Sequence, residues 1–147
     1  MIMSHAVVVG VDSARPGAEV LAFAFGQAAE RGVKLRALES RDLPTGRYVT
    51  AAPVDPPEIT SALAAAALVR LQDALAPWRE KFPEVRVEAE VTGWPAGKAL
   101  VEASRSASLV VVGRRTPRIR PAVPGLGAVA HAVLHHTHSP VAVVPHD

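Results

Sequence analysis

Cysteine is absent from the sequence, which excludes disulfides, thiolate nucleophiles and thiolate metal sites and fits a reducing compartment. Aromatic residues are scarce, at 4% against 49% hydrophobic. Alanine and valine must therefore supply the bulk of the core, a composition suited to helices layered closely on a sheet. Neither sign of charge dominates: 16 Lys+Arg stand against 14 Asp+Glu, an excess too small to imply nucleic-acid binding. Long apolar runs are missing as well. The longest, Ala62 to Val69, falls far short of the ~20 residues of a membrane span, and Met1-Ile-Met-Ser-His5 carries no basic segment of the signal-peptide kind. The expectation is one cytoplasmic domain over residues 1–147 that engages neither membrane nor nucleic acid.

What remains is an alternation of buried strands and amphipathic helices. Ala6 to Val11 is an unbroken aliphatic run, ending in the turn Asp12-Ser-Ala-Arg-Pro-Gly17. Ala18 to Arg31 places Leu21, Ala24, Phe25 and Ala28 on one helical stripe, and Gly32 stops it. Val33 to Ser40 reads as the second strand, and Arg41 to Pro57, with five prolines and glycines, as an irregular excursion. Glu58 to Trp78 is helical, with Pro77 expected to kink or end it. Val85 to Val91 alternates apolar residues with Arg86, Glu88 and Glu90, the mark of an exposed edge strand. Ala99, Leu100 and Ala103 then face inward from a helix that has Pro95 near its first turn.

The C-terminal third organises the chain. Leu109 to Val112 is a strand buried on both faces that stops at Gly113. From Leu126 the apolar positions Leu126, Val129, Ala130, Val133 and Leu134 follow helical spacing, and Val141 to Val144 is a further strand. Strand, loop, helix and strand with no room for a return hairpin make a βαβ unit. Its loop lies at the carboxyl end of the first strand, where open α/β sheets bind ligands.

These stretches carry a family likeness. Val7-Val-Val-Gly-Val-Asp12, the loop after Gly113 and Ser139-Pro-Val-Ala-Val-Val144 together resemble the universal stress protein family, and the resemblance covers nearly the whole chain. It implies a flavodoxin-like α/β fold of the adenine nucleotide alpha hydrolase-like kind: a doubly wound five-stranded parallel sheet in order 3-2-1-4-5 with helices on both faces. Some members of that family hold ATP with a Gly-x2-Gly-x9-Gly-(Ser/Thr) signature. Here Gly113 fits its first glycine, but Thr116 stands at the second, Gly125 and Gly127 fall on either side of the third, and Ala128 replaces the hydroxyl. A side chain at the second position restricts the backbone and crowds a phosphate. Arg114, Arg115, Arg118 and Arg120 offer side-chain donors instead.

Carried over by position, the resemblance implies a site with Val11 and Asp12 near a ribose and base edge and Leu38 beside a base. Gly113, Arg115, Thr116, Gly127, Ala128 and Val129 would surround phosphates. Asp12 is equally readable as a turn carboxylate. The resemblance also implies a homodimer through the strand Val141 to Val144, whose open edge otherwise invites aggregation. His131 and His135 share a helix face without a third ligand, so no metal is expected. Gly93-Trp-Pro-Ala-Gly97-Lys98 has too few residues between its glycines for a Walker A loop, and no catalytic nucleophile or general base stands out. The reading is a regulatory or binding module of the stress response, not an enzyme, with no required cofactor and room for a protein partner. Its alternative is a nucleotide sensor whose Arg-rich loop binds the phosphates of ATP.

Overall fold

The computed structural model describes residues 5–41, 57–115 and 128–146. Its elements follow one another as β1 (Ala6–Gly10), α1 (Ala18–Arg31), β2 (Leu35–Ser40), α2 (Pro57–Lys81), β3 (Val87–Thr92), α3 (Ala96–Ala103), a 3-10 turn (Ser104–Ser106), β4 (Ala107–Arg115), α4 (Ala128–His136) and β5 (Val141–His146). The five strands form one parallel sheet in the order β3-β2-β1-β4-β5. This is the doubly wound arrangement read from the sequence.

Strand residues alternate between two faces, and each face meets its own pair of helices. On one, Val7, Val9, Leu35, Ala37, Leu109 and Val111 pack under α1 and α2 through Leu21, Phe25, Leu71 and Leu75. On the other, Val8, Val110 and Val112 pack under α3 and α4 through Leu100, Ala103, Ala130 and Val133. The central strand β1 is covered on both sides, which is why it reads as a continuous apolar run without alternation. At the β3 edge the charges do pair: Lys34 reaches Glu88 at 3.2 Å, and Arg36 reaches Glu90 at 2.9 Å. The hydrogen bonds that Arg36 donates to the Glu90 carboxylate hold its guanidinium above its ordinary pKa, against the opposing effect of burial.

Several boundaries differ from the sequence reading. β2 begins at Leu35 because Gly32, in the left-handed conformation at φ 65°, and Val33 close the C-terminus of α1, their N–H groups donating to Ala29 and Ala28. α2 runs through Pro77 to Lys81. Beyond it Trp78 stacks on Phe25 at a centroid distance of 6.2 Å and Phe82 packs tilted against the same ring at 5.7 Å, and that burial outweighs the single backbone bond proline forgoes. β3 begins at Val87, because Val85 sits in a turn that donates to Phe82 and adds to the core. β4 does not stop at Gly113. It continues to Arg115, and β5 continues with it to His146, two residues past the Val144 at which the sequence reading ends the strand. On α4 the apolar stripe is narrower than its sequence suggests: Ala130 and Val133 are buried, while Val129 and Leu134 are exposed. The excursion 42–56 and Leu126 lie outside the described residues.

Candidate functional site

Because Val9 pairs with Val111, the residues that follow in each strand, Gly10-Val11 and Val112-Gly113, emerge side by side at the carboxyl end of the sheet. That is the switch point, where helices depart to opposite faces and leave a gap. A crevice of about 530 Å³ opens there, within the size range of small-molecule sites. Five of the residues picked out from the sequence, Val11, Asp12, Leu38, Gly113 and Val129, line it together. Thr116 and Gly127 lie outside the described residues; Arg115 and Ala128 are placed in backbone only, as the last residue of β4 and the first of α4.

Asp12 sits two residues past β1 and makes an Asx turn. Its Oδ1 accepts from the Ala14 N–H at 3.0 Å, and its carbonyl accepts from the Arg15 N–H at 3.0 Å. The turn carboxylate reading of Asp12 is thus realised, and the residue faces the crevice at the same time. Leu38 accepts at its carbonyl from the Val11 N–H at 2.8 Å, which ties the ends of β1 and β2 together.

The sequence reading passed over the residue next to Leu38. Glu39 is only 3% exposed, although it is a carboxylate on a strand whose neighbours are aliphatic. Its Oε2 accepts from both the N–H and the hydroxyl of Ser13, at 2.8 and 3.0 Å, and lies 3.5 Å from Nη2 of Arg41. Arg41 Nη2 also donates to Ser13 Oγ at 3.0 Å. Glu39 and Arg41 both line the crevice. The available signal was Glu39 itself, a charge at the alternate position of the face that otherwise holds Leu35 and Ala37, with Arg41 two residues on.

Gly113 has a different neighbour from the one a phosphate loop would give it. A Cβ on this residue would stand 2.8 Å from Nε2 and 2.9 Å from Cδ2 of His146, and 3.0 Å from Cγ2 of Val20. The same imidazole approaches Gly17, where a Cβ would lie 3.1 Å from Nδ1 and the backbone has φ 66°. One histidine ring at the end of β5 therefore occupies the ground over both glycines, and His146 lines the crevice as well. The α4 histidines are elsewhere: His131 and His135 have ring centroids 4.4 Å apart on an exposed face. Among the described residues no group of three or more metal-ligating side chains occurs.

The sequence model of the Universal stress protein family matches residues 3–145. The chain belongs to that family. It is 35% identical over 140 residues to a universal stress protein of Mycobacterium tuberculosis, a match that covers 93% of this chain and 44% of the other. With a universal stress protein of Mycolicibacterium smegmatis it shares 31% over 144 residues, covering 94% and 45%. The chain thus spans less than half the length of these relatives. Solved universal stress proteins share the fold. One from Archaeoglobus fulgidus superposes with TM-score 0.64 at 23% identity, covering 99% of this chain and 95% of that one. A second structure from the same organism, in complex with dAMP, gives 0.61 at 22%, covering 99% and 100%. A universal stress protein in complex with cAMP gives 0.66 at 22%, covering 97% and 98%.

Within this universal stress protein the crevice combines three chemical features. Val11, Leu38 and Leu100 give it apolar wall; Arg15 and Arg114 bring positive charge to its rim; a buried Glu39 carboxylate paired with a partly exposed Arg41 stands in its lining. Such a mixture of apolar surface with a few fixed polar groups suits a small organic ligand. No described helix is long and apolar enough to cross a membrane.

Proposed function

We propose that the chain is a cytoplasmic regulatory or binding module of the cellular stress response, acting as a homodimer and without catalysis, whose crevice does not clamp a triphosphate through the family signature. The observation that carries this reading is the packing at Gly113. Phosphate cradles keep glycine so that a ligand can approach the backbone; here the approach over Gly113 on the Cβ side is taken by His146 and Val20. The rest of the signature agrees, since Thr116 and Ala128 lack the freedom and the hydroxyl it calls for. Dimerisation through β5 is supported by its place at the sheet edge, where Val141 to Val144 are only partly buried.

Isothermal titration with ATP and magnesium tests the proposal. Binding weaker than about 100 μM, unchanged by Arg114→Ala, is the expected result. A second reading has its own support, because Arg15 and Arg114 line the crevice and guanidinium groups bind phosphate oxygens well. That reading, an ATP-binding sensor, requires micromolar affinity that falls in Arg114→Ala and Arg115→Ala. Such a result would replace the first.

A further inference from the structure

Three of the six histidines, His131, His135 and His136, fall on the nine-residue helix α4. In a chain without cysteine, imidazole nitrogen is the strongest ligand on offer to a transition metal. His131 and His135 stand one helical turn apart on an exposed face, with ring centroids 4.4 Å apart and ring planes at 59°. Neither lines the crevice. Among the described residues neither makes a hydrogen bond or an ion pair, so the lone-pair nitrogen of each neutral ring is open to an external partner.

The spacing suits chelation. Metal–imidazole bonds of ~2.0–2.1 Å at adjacent coordination positions put the two nitrogens roughly 3 Å apart. Each nitrogen stands off its ring centre, so rings with centres 4.4 Å apart reach that separation by turning about χ2, a broad and soft torsion. No backbone movement is required. A cation held there also lies in the C-terminal half of α4, where the helix dipole favours positive charge. A third side chain, whose absence argues against a resident metal centre, is not needed for binding of moderate strength.

We propose that His131 and His135 form a two-imidazole site for a divalent transition-metal ion, nickel, copper or zinc, on the outer face of α4. The two side chains take adjacent positions and water fills the others, since among the described residues no third ligating side chain joins them. Imidazole nitrogen selects these ions over magnesium and calcium, which prefer oxygen. His136 is not a member. Its ring centroid is 6.5 Å from that of His135, and one residue along a helix is a turn of about 100° away from the chelating face. The site is separate from the crevice and holds whether or not the crevice takes a nucleotide.

Calorimetric titration of Ni2+ into protein that carries no histidine tag tests it. The expected result is one ion per chain with a dissociation constant of about 100 μM or tighter. His131→Ala and His135→Ala each remove one of two linked ligands and should weaken binding by about tenfold or more. Both positions are exposed and alanine favours helix, so both variants should melt like the wild type when metal is absent. His136→Ala should stay within about twofold of the wild type, because a ring outside the chelate contributes no linked ligand. The unfolded chain does not hold the two rings together, so nickel should raise the melting temperature of the wild type and of His136→Ala but not of the other two variants. Absence of nickel binding at about 100 μM, undiminished binding in His131→Ala or His135→Ala, or an equal loss in His136→Ala would overturn the site.

Discussion

Replacing Gly113 by alanine distinguishes a glycine kept for a ligand from one kept for packing. Gly113 is not among the glycines with positive φ, which among the described residues are Gly17 and Gly32, so alanine brings no backbone strain. It does bring a methyl group into the 2.8 to 3.0 Å shell formed by His146 and Val20. Val20 is 3% exposed and cannot swing away. Overpacking of this kind costs about 1–3 kcal/mol, while alanine lowers the entropy of the unfolded chain by an amount worth about 0.4–1 kcal/mol. Taking the middle of each range, about 2 against about 0.7 kcal/mol, the net loss is roughly 1–2 kcal/mol. For a chain of this size that lowers the melting temperature by roughly 2–8 °C. Urea melts of ligand-free protein measure it, and a cycle with His146→Ala localises it. With the imidazole removed, two of the three close contacts vanish, and the cost of the alanine should fall below about 1 kcal/mol. Gly113→Ala as stable as wild type, or more stable, would refute the packing account, because the entropy gain would then stand unopposed.

The remaining predictions concern the dimer, the core and the sheet edge. Sedimentation should show a dimer of the 15.4 kDa chain, and Val143→Lys, which charges the β5 edge, should yield monomer; a monomeric wild type would refute the interface. Phe25→Ala removes a fully buried ring held between Trp78 and Phe82 and should cost about 3–5 kcal/mol in urea melts, with a red shift in tryptophan emission. Arg36→Met should cost less than about 1 kcal/mol, since the Arg36–Glu90 pair is partly solvated. The folded-state pKa of Arg36 is raised above its ordinary value, so its contribution is fully present at any pH below the unfolded arginine range. The loss should accordingly not vary between about pH 6 and 10; a change with pH inside that window would assign it to another group.

Much of the fold was legible because burial on two faces leaves a plain trace. Ala6 to Val11, Leu109 to Val112 and Val141 to Val144 read as parallel strands from their aliphatic runs, and helical stripes such as Leu21, Ala24, Phe25 and Ala28 set the layers between them. The boundaries were harder, because they depend on tertiary partners. Pro77 reads locally as a stop, and the packing of Trp78 and Phe82 against Phe25 explains why α2 passes through it. Gly113 reads as the end of a strand, yet pairing with Val144 carries β4 past it. At the crevice, the ends of the first and fourth strands brought Asp12 and Gly113 together, and the family resemblance added Val11, Leu38 and Val129. Glu39 stayed hidden because its partners, Ser13 and Arg41, make sense of a buried carboxylate only once β1 and β2 are side by side. His146 was hidden for a similar reason: its contact with Gly113 and Gly17 spans three elements distant in sequence.

The most direct measurement is the ratio of the dissociation constants of adenosine and magnesium-ATP, both determined by calorimetry on the same preparation. A signature that clamps three phosphates adds several charge-assisted hydrogen bonds and would make ATP tighter than adenosine by about a hundredfold or more. With His146 and Val20 over Gly113, and Arg15 and Arg114 as the rim cations among the described residues, the two should agree within about tenfold. A hundredfold preference for ATP would contradict the account.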